Sequence, residues 1–394
     1  MDERNINEPD EAVAAHIPDG MPAEFDRTRP RRGSPELDAF LRAVVRSGAS
    51  DLHLKSGQPP RVRISGQLRT VEREPAPAEL FEARVFAFLS EPDRQRLVRE
   101  GSVDLAYDLE DVRFRLNVYR QESGISVAAR VVPRQIPTFD ELHLPPMVAK
   151  IAEFEQGLVL VSGITGSGKS TTIAAMLEQI NCTERKHIVT IEEPIEFLHR
   201  SNKCLIDQRE VGINVPDYPT ALRALLREDP DVVLIGEMRD ADTFRAAIQA
   251  ADTGHLVFGT VHAANAAQTI GRVLSLFDDS EKSSIRESLV FTLRAIITQK
   301  LLRSCAEDVR RVPAVEILIS TPIVRKLIEE NRDIELPEAI RSGDEGMTSF
   351  TESLYTLVQE KLIDEETGCQ AAPNRPEFEM RLSGIKPSQR SIIG

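Results

Sequence analysis

Residues 163–170 read Gly163-Ile164-Thr165-Gly166-Ser167-Gly168-Lys169-Ser170, which matches the phosphate-loop pattern G-x-x-x-x-G-K-[ST]. Glycines in such a loop let the backbone curl, so that successive N–H groups face a phosphate. The helix that follows adds its positive N-terminus. Lys169 supplies a positive charge for the β and γ phosphates, and Ser170 supplies a hydroxyl for Mg²⁺. The stretch therefore predicts a site for ATP and Mg²⁺ that extends to Thr171.

The sequence around the loop predicts the sheet that carries it. Unbroken apolar runs occur at 158–161, 187–191, 231–235 and 256–260. Such runs are typical of strands buried on both faces of a parallel sheet. Apolar residues at helical spacing follow the first run: Ile173, Met176, Leu177 and Ile180. Strands alternating with helices predict a doubly wound α/β fold, with the loop joining a strand to a helix.

Composition restricts the class of protein. The chain has 394 residues, which suggests two or three domains. Its net charge of −14 argues against a general nucleic-acid binder. No run of 18 apolar residues and no basic-then-apolar leader is visible, so we expect a cytoplasmic protein. None of the four cysteines forms a C-x-x-C pair, so no zinc or dithiol motif is apparent.

A small α+β domain is predicted before the loop. We expect a disordered tail at 1–34, because its proline-rich, polar sequence cannot bury enough apolar surface to become ordered. A first domain at 35–135 begins with an amphipathic helix at 36–45. Period-two alternation at 61–64, 113–119 and 125–131 then predicts strands, the last two forming a hairpin.

The ATPase core is predicted at 136–280, after a proline-rich boundary. A helical subdomain is predicted at 281–365 and a loosely ordered tail at 366–394. One helix is expected from the spacing of Leu289, Leu293, Ile296, Ile297 and Leu301. A second is expected from the spacing of Phe350, Leu354, Leu357 and Val358.

Candidate catalytic groups follow the predicted strands. Hydrolysis needs a group that orients or deprotonates water and a carboxylate near the metal. Glu192 and Glu193 end one strand, and Glu237 lies just beyond another. Ligands of doubly wound sheets bind outside the carboxyl ends of strands. We therefore predict catalytic roles for Glu192 and Glu237, the latter also near Mg²⁺, and a γ-phosphate-sensing role for His262. Glu193 and His255 stay open.

Three arginines occur on the predicted hairpin of the first domain: Arg113, Arg115 and Arg130. An arginine that neutralises charge on the γ-phosphate is a common part of ATP hydrolysis. These side chains either form a solvated sheet face or reach a nucleotide held by a neighbouring subunit. The residues alone leave the two interpretations equal.

Four further segments carry a resemblance to a known family. They are 49–60 (ASDLHLKSGQPP), 190–197 (TIEEPIEF), 234–240 (LIGEMRD) and 253–262 (TGHLVFGTVH). With the phosphate loop, they resemble the PilT/PilU family of type IV pilus retraction ATPases, within the secretion ATPase superfamily. The resemblance runs from about 34 to 363. The sequence departs from the family pattern at Glu193, where an aspartate is usual.

The resemblance implies a PAS-like N-terminal domain, a RecA-like ATPase domain and a homohexameric ring. It implies that Glu192 is the catalytic carboxylate and that Arg113, Arg115 and Arg130 act as arginine fingers. It also implies an inner-membrane platform protein as partner, with the ring held at that membrane through the pilus machinery. The missing four-cysteine motif and the segment 323–329 favour the retraction branch over the assembly branch.

Three other functions remain as alternatives. The chain could be an accessory, PilU-like ring that supports a paralogous primary motor. It could be an assembly or secretion ATPase that extends a fibre. A DNA translocase is disfavoured by the acidic charge balance and by the specific segments above.

Overall fold

The computed structural model describes residues 35–64, 66–110, 112–133 and 135–384. The tail predicted at 1–34 and residues 385–394 lie outside the described residues. The chain divides into two compact units. Of the described residues, the first unit contains those within 35–103, 107–110 and 119–127, and the second contains those within 104–106, 112–118 and 128–384.

The described residues up to Val132 form three helices and a six-stranded sheet of order β3-β2-β1-β6-β5-β4. The elements are α1 (Pro35–Arg46), β1 (Asp51–Lys55), β2 (Arg61–Ile64), β3 (Gln67–Thr70), α2 (Ala78–Phe88), α3 (Glu91–Glu100), β4 (Ser102–Leu109), β5 (Val112–Gln121) and β6 (Gly124–Val132). The predicted first helix and the predicted hairpin are confirmed as α1 and β5–β6. In β5, Phe114, Leu116 and Val118 are fully buried, as the period-two pattern requires.

A seven-stranded sheet of order β13-β12-β7-β11-β10-β8-β9 follows. Its first elements are α4 (Pro146–Ala152), β7 (Gly157–Ser162), α5 (Lys169–Thr183), β8 (His187–Glu192), β9 (Leu205–Glu210), α6 (Tyr218–Leu225), β10 (Val232–Ile235), α7 (Ala241–Asp252) and β11 (Leu256–Val261). The remaining elements are α8 (Ala266–Leu274), α9 (Lys282–Thr292), β12 (Leu293–Arg303), β13 (Arg311–Ile319), α10 (Pro322–Glu329), α11 (Leu336–Arg341), α12 (Phe350–Gln359), α13 (Glu365–Ala371) and α14 (Arg375–Leu382). The α/β fold is thus as predicted.

The strands from β12 to β9 in this order run parallel, and only β13 pairs antiparallel with its neighbour β12. Parallel strands bring their carboxyl ends to one edge of the sheet. The phosphate loop follows β7, Glu192 ends β8, Glu237 follows β10 and His262 follows β11. The topology therefore gathers the candidate residues at this edge.

Helices cover both faces of the seven-stranded sheet. Leu158 and Leu160 pack in one apolar cluster with Phe244 of α7 and Ile270 of α8. Val159 and Val161 belong to a second cluster, which contains residues of α5 such as Met176. Each fully buried aliphatic side chain contributes about 1.5–3 kcal/mol relative to an exposed one. This two-sided burial fixes the strands that carry the candidate site.

Two predictions about the C-terminal region are wrong. The helix expected across Leu289–Leu301 ends at Thr292, and Leu293–Arg303 forms β12 inside the sheet. A strand buried on both faces has a continuous apolar sequence, and Ala295–Ile297 fits that pattern as well as a helical spacing. The prediction of a loosely ordered tail is also wrong up to residue 384, because Glu365–Ala371 and Arg375–Leu382 are helices. Phe378 anchors the second of these helices and is fully buried.

None of the helices in the described ranges combines the length and the apolar character that a bilayer crossing requires. The domain boundaries at 135, 280 and 365 stay predictions, and so does the PAS-like nature of the first domain.

Candidate functional site

The phosphate loop connects the end of β7 to the start of α5. Three of its glycines have positive φ: Gly163 at 148°, Gly166 at 79° and Gly168 at 93°. Residues with a Cβ rarely adopt this region, so glycine is required for the curled path. In the described structure no side chain caps the start of α5. Its first N–H groups therefore point into the loop, where a phosphate is their natural partner.

Lys169 lies inside the loop and has only 9% of its surface exposed. Its Nζ donates to the carbonyl oxygens of Gly163 at 2.9 Å and Ile164 at 3.1 Å. Burial lowers the pKa of the ammonium, and the charges of Glu237 and Glu196 oppose that change. The buried Oγ of Ser167 has no hydrogen-bond partner among the described residues. An unpaired hydroxyl and a buried ammonium in a curled loop fit a phosphate-bearing ligand.

Glu192 is the most buried carboxylate of the site, with 8% of its surface exposed. Burial raises the pKa of its carboxyl, and hydrogen bonds from Thr190 and Gln208 oppose the rise. Thr190 Oγ1 donates to Oε1 at 2.7 Å, and Gln208 Nε2 donates to the same atom at 3.3 Å. A carboxylate with a raised pKa in a cleft suits proton transfer near neutral pH.

Glu237 has a different environment. Its carboxylate forms an ion pair with Arg239, and its Oε1 lies 3.0 Å from Nε2 of His262. The hydrogen bond from Arg239 holds the pKa of Glu237 below its usual value despite partial burial. The side chain is therefore ionised at neutral pH, as a carboxylate near a metal must be. Glu192 and Glu237 thus differ in the direction of their pKa shifts.

These groups line one cavity of about 440 Å³, which we call the nucleotide cleft. Its lining includes the predicted residues Thr165, Gly166, Gly168, Lys169, Ser170, Thr171, Glu192, Glu237 and His262, together with Glu193, whose role was left open. The cleft is large enough for a small-molecule ligand, whose sites usually have volumes of about 300–1,000 Å³. The structure therefore brings the phosphate loop and the carboxylates together, although their catalytic roles stay predictions.

The predicted arginines Arg113, Arg115 and Arg130 do not line the nucleotide cleft, and neither does His255, whose role was left open. His255 precedes β11, at the opposite end of that strand from His262, and its Nδ1 lies 2.9 Å from the carbonyl oxygen of Ala250. Within the second unit, Arg115 lies 3.5 Å from Asp104. Burial raises the pKa of Glu210, and the charges of Arg115 and Arg113 oppose that rise.

Sequence reasoning missed several residues of the cleft. Leu301 and Arg311 come from β12 and β13, in the region where a helical subdomain was expected, and both line the cavity. Arg239 and His199 also line it. Gln208, which donates to Glu192 but does not line the cleft itself, was missed because β9 is a polar edge strand, Leu205–Glu210, without an apolar run. The alternation of Ile206, Gln208 and Glu210 on one side of the strand was the available signal.

Comparison with known proteins places the chain in a family. The family model for type II/IV secretion system proteins matches residues 34–385. The type IV pilus retraction ATPase PilT of Pseudomonas aeruginosa is 40% identical over 339 residues, which are 86% of this chain and 98% of that protein. A twitching motility protein of Neisseria gonorrhoeae is 41% identical over 317 residues, which are 80% of this chain and 84% of that protein.

A solved structure has the same fold. The crystal structure of the pilus retraction motor PilT with bound ADP superposes with a TM-score of 0.81 and 39% identity. The match covers 87% of this chain and 98% of that one. With the family match and the phosphate loop described above, this similarity identifies a nucleotide-binding ATPase. The chain therefore belongs to the type II/IV secretion system protein family and is a PilT-like ATPase within it.

Proposed function

We propose that this chain is the ATP-hydrolysing motor of type IV pilus retraction, and so of twitching motility. The observation that carries the proposal is the convergence in one cleft of the phosphate loop, a buried carboxylate with a raised pKa and an ionised carboxylate. Similarity to PilT over most of both chains supports retraction in particular.

The residues of the cleft suggest how the chain binds its substrate. Lys169 and the N–H groups of the loop hold the β and γ phosphates of ATP. Ser170 and Glu237 are the groups that would hold Mg²⁺, which neutralises phosphate charge when it is bound. Glu237 suits this role because Arg239 keeps its carboxylate ionised. His262, 3.0 Å from Glu237, lies where it can report the state of the γ-phosphate.

Glu192 is the proposed base for hydrolysis. Its carboxylate accepts a proton from the water that attacks the γ-phosphorus, as the bond from that phosphorus to the β–γ bridging oxygen breaks. Burial favours this transfer, because it raises the proton affinity of the carboxylate. The phosphate loop holds the ADP that leaves.

The motor requires neighbouring subunits. We propose a homohexamer in which Arg113, Arg115 and Arg130 of one subunit reach the nucleotide of the next. Their place outside the nucleotide cleft of their own chain is consistent with that arrangement. The ring would act on an inner-membrane platform protein from the cytoplasmic side, with a paralogous ATPase as a further partner.

The test is a count of surface pili, with twitching, in cells whose only copy of the chain carries Lys169→Ala. We expect many pili and no movement, since fibres would assemble without being withdrawn. Cells without pili would contradict the proposal and indicate an assembly motor. Cells with normal pili and normal movement would also contradict it and indicate an accessory or redundant ring. A Lys186→Ala strain is the matched control, because that lysine pairs with Glu155 away from the cleft.

A further inference from the structure

Glu192 is held through a single oxygen. The hydroxyl of Thr190 and the amide of Gln208 both donate to its Oε1, at 2.7 Å and 3.3 Å. Two donors directed at one oxygen restrict rotation of the carboxylate about its last bond. They also favour the ionised form, because a hydrogen bond to a carboxylate stabilises its charge.

The register of the sheet places these donors. β8 and β9 run parallel, with Thr190 opposite Gln208 and Glu192 opposite Glu210. Thr190 and Glu192 are two residues apart, so they share one face of β8. Gln208 lies beside Thr190 on the neighbouring strand and reaches the same face. The arrangement therefore follows from backbone pairing and does not depend on a mobile loop.

The amide of Gln208 has one favourable orientation. Its Nε2 also donates to the carbonyl oxygen of Phe197 at 2.9 Å, and its Oε1 accepts from the backbone N–H of His199 at 2.9 Å. Rotating the amide by 180° would set its oxygen against a carbonyl and a carboxylate, and its NH₂ against an N–H. The donor is thus fixed toward Glu192 before any substrate binds.

The segment that fixes Gln208 is tied to the helix of the phosphate loop. Nδ1 of His199 lies 3.1 Å from Oε2 of Glu178, which belongs to α5. The His199 side chain has only 3% of its surface exposed, whereas the Glu178 side chain is 33% exposed. A continuous set of partly buried contacts therefore connects α5 to the carboxylate of Glu192.

From these contacts we propose that Gln208 is a positioning residue for ATP hydrolysis. With Thr190, it holds the carboxylate of Glu192 in one orientation and in its ionised form. The inference rests on the proposed role of Glu192 as the base. Gln208 itself contacts Glu192 and two backbone groups, so its effect on the reaction passes through Glu192.

The experiment measures steady-state ATP hydrolysis by the purified full chain across a range of pH. For Gln208→Ala we expect kcat to fall about tenfold to 100-fold, since small displacements of a catalytic group have effects of this size. The KM for ATP should stay within about twofold, because the phosphate loop is untouched. The acid limb of the kcat profile should move to higher pH, because a lost donor raises the pKa of Glu192. A purely structural defect would not move that limb.

Thr190 supplies an independent pair of variants. Thr190→Val removes the hydroxyl with little change of shape and should reproduce both effects. Thr190→Ser keeps a hydroxyl donor, so it should have most of the kcat that Thr190→Val loses, and the acid limb of the unmodified chain. Asp207→Asn is the control on the same strand, since Asp207 is exposed and pairs with His187. It should leave both quantities unchanged.

Two results would overturn the inference in distinguishable ways. If Glu192→Gln abolishes hydrolysis while Gln208→Ala and Thr190→Val keep the normal kcat and acid limb, Glu192 is the base but needs no positioning. If Glu192→Gln hydrolyses ATP normally, the proposed role of Glu192 itself is wrong. Should Gln208→Ala fail to fold, as judged by circular dichroism, the Val and Ser variants of Thr190 decide the question.

Discussion

The ammonium of Lys169 donates to the carbonyl oxygen of Gly163, 2.9 Å away, so the lysine of the phosphate loop is hydrogen-bonded to the first residue of that loop. The contact keeps a mostly buried charge paired within the loop that would receive phosphate. We expect a bound nucleotide to replace the carbonyl acceptors of Lys169 with phosphate oxygens. Charge-assisted hydrogen bonds to phosphate are the stronger ones, which makes the exchange favourable.

Replacement of this lysine gives the first prediction. Lys169→Ala should lose nucleotide affinity and hydrolysis together, because the only cation within the loop is removed. Binding of a fluorescent ATP analogue and release of phosphate measure the two effects. Lys186→Ala should behave like the unmodified chain in both assays. Normal hydrolysis by Lys169→Ala would show that the cleft is not the catalytic site.

The two adjacent glutamates should differ sharply. Glu192→Gln should lower kcat by about 10²–10⁴-fold, the usual contribution of a general base, and should keep ATP binding. Glu193 is exposed, so Glu193→Gln should change kcat only slightly. Both substitutions remove one negative charge, so a difference between their kcat values reports the position of the carboxylate and not the net charge of the chain. Equal losses in the two variants would contradict the assignment of Glu192.

The directions of the pKa shifts predict how activity depends on pH. Burial raises the pKa of Glu192, whereas Arg239 lowers that of Glu237. As pH falls, Glu192 should therefore take up its proton first, and a protonated base cannot accept one from water. The acid limb of kcat should lie above the ordinary glutamate value of about 4.3. An acid limb at or below that value would contradict the assignment of Glu192 as the base.

Mixed rings test the arginines of the β5–β6 hairpin. We expect Arg113→Ala combined with Arg115→Ala to lose hydrolysis, and Lys169→Ala to be inactive by the argument above. If the arginines serve a neighbour, mixing the two inactive chains creates some interfaces with both groups intact. Activity should then recover in part. Unrestored activity after verified mixing would mean that the arginines act within their own chain or support folding.

The sequence predicted the part of the fold that depends on strongly patterned segments. The loop at 163–170 has a specific pattern, and it indicates that the short apolar run Leu158–Val161 before it is a strand. The order of the apolar runs along the chain then predicted which edge of the sheet carries the cleft. Leu293–Arg303 was misassigned because a strand buried on both faces and a buried helix can have the same apolar spacing. Tertiary pairing with β7 decides between them, and that pairing is not visible locally.

In the candidate site, too, the residues next to strongly patterned strands were predicted and the others were missed. Residues adjacent in sequence to a buried strand, such as Glu192, Glu237 and His262, were found because topology alone places strand ends together. Arg311 lines the cleft from β13, and Gln208 donates to Glu192 from the edge strand β9, so neither belongs to the strands whose apolar runs were recognised. Their contribution depends on lateral strand order, β12 beside β7 and β9 beside β8, which a single sequence does not reveal.

Replacing glycine by alanine should have opposite effects on stability at two positions of the chain. Gly271 is exposed inside α8, and a Cβ there would meet no atom within 4 Å. Gly271→Ala should therefore stabilise the second unit by about 0.5–1 kcal/mol, since alanine favours the helix and loses less entropy on folding. At Gly163, a Cβ would come within 2.4 Å of Ser167 Oγ and 2.6 Å of the Gln299 carbonyl oxygen.

The Gly163 contacts involve backbone of β12, which cannot shift without disturbing its pairing with β7. Gly163→Ala should thus lower the free energy of unfolding by about 1–3 kcal/mol, as overpacking does, and should also impair nucleotide binding. Urea unfolding monitored by circular dichroism measures both variants against the unmodified chain. If Gly163→Ala matched Gly271→Ala in stability and bound nucleotide normally, the loop would have to follow another path than the curled one described above.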